Sequence, residues 1–221
     1  TFVFDTTSDL FDESSGLQPS STEAGTVTVD FSTYTLPENK SLWFFLPMPA
    51  VEYEYIKISI AKTSESTPQV LSEWTNRKIT RAKVYRTSLT YKEIDATTPS
   101  EVSSQISSSV SEENKSVTLT MTNVIEATEG NNTITIPAVE NTTLVFEQTP
   151  NTSGAPLVIA EDENSSSTTE KLEISVPAES ATLENLVIDT PNATVTLKEG
   201  NFGTVTATTA AHTMIIEEGV V

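Results

Sequence analysis

The sequence predicts an all-β protein in two parts. Residues 1–93 form an antiparallel β-sandwich, 94–115 a linker or short capping helix, and 116–221 a right-handed parallel β-helix. Three observations lead there. Hydrophobic residues make up only 36% of the 221, and Thr and Ser fill the gap; β-branched Thr suits a pleated surface. From Ser116 onward the chain is a string of short β-prone runs, with centres about ten residues apart. The charge is also uneven. Residues 1–93 hold nine of the twelve basic and twelve of the thirty-one acidic residues, a net of −3, against −16 for the remainder. A shift of that size marks a domain boundary.

Four strands are expected in the front piece. "GTVTVDFSTYTL" (Gly25–Leu36) alternates, with Val27, Val29 and Phe31 on one side, the pattern of a half-buried strand. "SLWFFLPMP" (Ser41–Pro49) is a continuous apolar run closed by prolines, a core strand that ends sharply. "YEYIKISIAKT" alternates through Ile56, Ile58 and Ile60, and "ITRAKVYRTSLTY" (Ile79–Tyr91) is the last strand. The succession "LWFFLPMP…YIKISIAKT…RKITRAKVYRTSL" resembles the closing segments of fimbrillin-like domains of Bacteroidetes surface proteins, with Ala82, Lys83, Val84 and Tyr85 matching their final strand. The resemblance covers Gly25 to Tyr91. It implies an exported, lipid-anchored lipoprotein displayed outside the outer membrane, acting in cell adhesion or fimbria assembly, where pilin-type subunits join by strand donation.

The joint is Ser-rich, yet Thr98 and Glu101 have capping-box spacing with Pro99 at the first helical position. Val102, Ile106 and Val110 follow at spacing four and make one narrow apolar stripe. Such a helix, within Thr98–Glu113, would cover the open end of a solenoid's first coil.

In the back piece, "NNTITI", "NTTLVF", "NATVTL" and "HTMII" repeat one local pattern. The turns are too short for crossover helices and too Gly-poor for two-residue hairpins. An antiparallel sandwich could use the same beat, but short uniform runs with small corner residues favour the β-helix. The ending "EEGVV" is expected to fall mid-coil, the natural chain continuing, and to expose an edge through which the chain self-associates.

The chemistry is sparse. With −19 net charge and a pI near 4.2, the chain is unsuited to nucleic acid, whose binding needs Lys and Arg facing phosphate. The lack of cysteine excludes disulfides and Cys-ligated metal. The one histidine, His212, falls in a turn, and neither a nucleophile elbow nor a zinc helix occurs. A β-helical lyase needs a base beside acids, but the back piece has only Lys115, Lys171 and Lys198. The chain is therefore expected to be no enzyme and to need no cofactor. A carbohydrate-binding module or carbohydrate-active β-helix enzyme is the alternative. Trp74 and Arg77, in the polar stretch "LSEWTNRK", are the candidate ligand-binding residues. Glu161, Asp162 and Glu163 are the candidate metal ligands, being a dense set of hard oxygen donors. The expected partner is a surface glycan or protein, or further pilin-type subunits.

Overall fold

The computed structural model describes residues 50, 52–60, 69–80, 89–110, 115–162, 168–177, 181–191, 193–208 and 213–220. The chain divides into two compact units, Thr1–Tyr85 and Arg86–Val221. In the first, β1 (Glu52–Ile60) and β2 (Gln69–Lys78) pair antiparallel, with an irregularity between Ile58 and Ser59. The expected strands at Gly25–Leu36 and Ser41–Pro49 lie outside the described residues.

The second unit begins with β3 (Leu89–Ile94) and α1 (Pro99–Ser109). β4 (Ser116–Met121), β5 (Thr133–Ile136), β6 (Asn141–Phe146), β7 (Leu157–Glu161) and β8 (Lys171–Ser175) follow. The series ends with β9 (Leu183–Asp189), β10 (Thr194–Glu199), β11 (Phe202–Ala207) and β12 (Thr213–Ile216). One parallel sheet has the order β12-β10-β8-β6-β4-β3, and a second has the order β11-β9-β7-β5. From β4 on, successive strands go to alternate sheets. A strand therefore pairs not with the next run but with the one after it.

This corrects the expected fold class. The antiparallel β-sandwich followed by a helix-capped right-handed parallel β-helix is replaced by mostly parallel, α/β-like sheets with one helix. The described part of the front unit is a two-stranded antiparallel pair. β3, whose first residues end the expected last sandwich strand, pairs parallel with β4 from Leu89↔Ser116 to Ile94↔Met121. Alternation of side chains fixes which face is buried and leaves the choice of partner open. Parallel pairing needs a long crossover between partners; α1 supplies it between β3 and β4, and from β4 on the intervening strand of the other sheet does.

In-register rows build the core. Val117, Thr142, Leu172 and Val195 form one inward row, and Leu119, Leu144, Ile174 and Leu197 another. All eight are buried. They meet Ile134, Ile136, Leu157, Ile159, Leu186 and Ile188 of the smaller sheet in one apolar cluster. β4 is buried on both faces, Thr118 and Thr120 included, as parallel strands commonly are.

Thr142 breaks the apolar composition of its row. Its hydroxyl is buried and has no hydrogen-bond partner among the described residues. A buried donor without a partner costs about 1–3 kcal/mol. The near-isosteric Thr142→Val variant is therefore expected to melt at higher temperature, with a gain of about 1–2 kcal/mol. A lower melting temperature would mean that the hydroxyl is satisfied in solution.

Helix α1 forms where Pro99 and the Val102/Ile106 stripe place it; both stripe residues are buried and Val110 is half-buried. The expected capping box is shifted by one residue. Thr98 at the N-cap makes no side-chain capping bond, while the Glu101 carboxylate accepts from the Thr97 amide at 3.2 Å. That backbone bond, then the Thr98 hydroxyl, holds the Glu101 pKa below its ordinary 4.5. A depressed carboxylate stabilises the fold above the unfolded-state value, and its contribution is lost as pH falls through the folded one. The Thr97 amide resonance should accordingly titrate with a midpoint below 4.5, and Glu101→Gln should abolish that titration. A midpoint at or above 4.5 would remove the bond from the account.

Candidate functional site

A cleft of about 400 Å³, its lining of mixed polar and apolar surface, opens between residues 149–153, which follow β6, and residues 181–185, at the start of β9. One wall is fixed by Asn151. Its amide donates to the Ile125 carbonyl, and its own carbonyl accepts from Ala127, both at 2.9 Å. Its side chain donates to Glu126 Oε2 at 2.7 Å, and its Oδ1 accepts from the Ser153 amide at 3.1 Å. Every polar group of Asn151 is thus engaged, and the loop is held as a rigid turn of the kind Asn makes well. The Thr149 hydroxyl ties this wall to the other by donating to the Ala181 carbonyl at 2.9 Å.

The other wall depends on a departure from alternate burial at the start of β9. Leu183 and Leu186 are both buried, so Glu184 and Asn185 between them are both exposed. Two successive outward residues cannot occur in a regular strand of period two. Gly203 lies close against it. β11 pairs with β9 through Phe202↔Leu183 and Thr204↔Asn185, which sets Gly203 beside Glu184. A Cβ on Gly203 would lie 2.6 Å from the Glu184 carbonyl oxygen. The side chains of Glu184 and Asn185 make no hydrogen bond among the described residues, so their polar groups are available to a ligand.

Glu184 is the one ionisable side chain among the lining residues; the rest offer hydroxyls, the amides of Asn151 and Asn185, backbone groups and the apolar surface of Pro150 and Ala181. Such a lining can accept and donate hydrogen bonds to an uncharged polar molecule. General acid–base hydrolysis of a glycoside uses two carboxyl groups, and the lining holds one.

The residues expected from the sequence lie elsewhere. Trp74 falls in β2 with its backbone paired to Ile56, and Arg77 pairs with Tyr53. Arg77 is exposed, and burial raises the Tyr53 phenol above its ordinary pKa. Glu161 closes β7, and its Oε1 accepts from the Thr169 amide at 2.6 Å, across the loop that was expected to hold metal. Asp162 is exposed and its amide donates to the Ile136 carbonyl. Glu163 and His212 lie outside the described residues. Among the described residues no three His, Cys, Asp or Glu side chains are grouped to hold a metal ion.

Asn151, Glu184 and Asn185 escape the sequence reading. One signal was there for the last two: "LENL" sets its leucines three apart where alternation would set them two or four apart. Asn151 gives no comparable signal, because its partners other than Ser153 are 24 to 26 residues away. No family model, curated protein or solved structure matches this chain.

Proposed function

We propose that this chain is a non-enzymatic cell-surface protein with an adhesive or fimbria-related binding role, and that the cleft beside Asn151 and Glu184 engages the hydroxyl groups of an uncharged surface glycan. One observation carries the reading: beside apolar surface, the cleft presents Thr and Ser hydroxyls and Asn amides with a single carboxylate. A sugar hydroxyl donates to such a carboxylate and accepts from an Asn amide, and water-mediated contacts complete the set. A strongly acidic chain also disfavours sialylated or sulfated ligands, which it repels. The fimbrillin-like run in residues 25–91 supports export and display outside the outer membrane.

Binding to immobilised neutral and acidic glycans tests the reading. Neutral glycans are expected to bind, with Asn185→Ala and Glu184→Gln each weakening binding about tenfold, the loss of one or two charge-assisted or neutral hydrogen bonds. Binding that is indifferent to both variants would move the site away from the cleft. Release of reducing or unsaturated sugar from the bound glycan would replace this reading with a carbohydrate-active enzyme.

A further inference from the structure

The cleft opens onto a larger surface than its own walls. Asn185, one of its lining residues, also begins an outward row on the smaller sheet. Leu186 and Ile188 turn into the core, so Asn185, Val187 and Asp189 share the opposite face of β9. β11 lies beside that row in register, with Thr204 next to Asn185 and Thr206 next to Val187. On the other side β7 sets Val158 against Val187 and Ala160 against Asp189. Each of these outward residues is exposed or half-buried. α1 lies along β5, two strands away from β9. A further strand beside β11 would fill the edge of that strand and leave this face open.

The chemistry of this face changes along the strands. Its middle, Val158 and Val187 with the methyl group of Thr206, is apolar. Toward the cleft stand Asn185 and Thr204, whose side chains make no hydrogen bond among the described residues. At the far end Asp189 Oδ1 accepts from the Thr208 hydroxyl, and its Oδ2 is unengaged among the described residues. At the rise of a parallel strand, Asn185 and Asp189 are about 13 Å apart, which is longer than one sugar ring. An apolar middle suits the C–H faces of sugar rings, and the polar groups at both ends suit their hydroxyls. The carboxylates of Glu184 and Asp189 bracket the row, so an anionic chain is repelled at both ends. A single terminal sugar would use the cleft alone. A linear neutral chain lying along the strands uses the cleft and the face together.

We propose that the ligand is an extended stretch of a linear neutral polysaccharide, which enters the cleft at Glu184 and Asn185 and runs along β9 and β11 to Asp189. The proposal rests on the glycan reading of the cleft and adds the length and course of the ligand. Calorimetric titration of the 221-residue chain with cello-, manno- and chito-oligosaccharides, from disaccharide to hexasaccharide, tests it. In the series that binds, the hexasaccharide should bind at least about tenfold more tightly than the disaccharide. Asp189→Ala should lower the hexasaccharide affinity about fivefold and leave that of the disaccharide as it was, whereas Asn185→Ala should weaken both. A loss of folded structure would weaken both alike, so this split separates contact from structure. The amide resonances of Val187 and Thr206 should shift with the hexasaccharide and stay in place with the disaccharide. Equal affinity from disaccharide to hexasaccharide would overturn the proposal and leave the cleft reading standing. So would a hexasaccharide indifferent to Asp189→Ala. Failure of all three series to bind would remove the cleft reading and this proposal with it.

Discussion

Replacing Gly200 with alanine is expected to lower the stability of the second unit by about 3 kcal/mol or more, among the largest effects a single methyl group can have. Gly200 turns the chain from β10 into β11 at φ +110°, in a region where an L side chain is strained. The added Cβ would also sit 2.1 Å from the Val176 Cγ2 and 2.7 Å from the Val176 carbonyl oxygen. Val176 is buried, and its amide donates to the Glu199 carbonyl at 3.0 Å, so it has little freedom to retreat. Thermal or urea unfolding of Gly200→Ala measures the loss. The double variant Gly200→Ala/Val176→Ala should recover only part of it, because the backbone carbonyl and the dihedral strain remain. A Gly200→Ala protein as stable as its parent would mean that this turn takes another course.

The second large effect is expected at Leu144. It is fully buried, between Leu119 and Ile174 in the same row. Leu→Ala truncations of this kind cost about 2–5 kcal/mol, more where the surroundings cannot collapse into the cavity. Both neighbours of Leu144 are pinned by backbone ladders, so the upper half of that range, about 4 kcal/mol, is expected. Position 216 makes the contrast within the same sheet. Ile216 lies in the same row as Leu144 but at the exposed edge, and Ile216→Ala should cost less than about 1 kcal/mol, with little burial to lose. Equal losses at 144 and 216 would mean that the row does not extend as described.

Much of the local structure is legible in the residues. Pro99 with Val102, Ile106 and Val110 marks α1, and "SVTLTM", "TITI" and "TVTL" mark β4, β5 and β10 by their alternation. These signals act within a few residues, which is the range that propensity and side-chain period cover. Partner choice has no such signal. Asn141 pairs 25 residues back with Ser116 and 30 residues ahead with Lys171, and nothing in either run names the other. Hence Leu89–Tyr91 reads naturally as the end of a front-piece strand, although its hydrogen-bond partner is β4. The cleft is harder still to see. Glu184 and Asn185 both face outward where a glycine of a different strand approaches β9 closely, and Asn151 is held by Glu126 and Ile125 from a separate loop. Such a site exists only once the strands are paired. Glu161 shows the converse: its acidic neighbourhood suggests a metal, while its carboxylate is bonded to the Thr169 amide of its own loop.

The central claim is that each run pairs in parallel with the run after next. Interstrand amide and Hα nuclear Overhauser contacts test it most directly. The account predicts parallel-type cross-peaks linking Leu144 with Leu119 on one side and with Ile174 on the other. Antiparallel Hα–Hα contacts between Thr133–Ile136 and Asn141–Phe146, the pattern of a hairpin between successive runs, would contradict it.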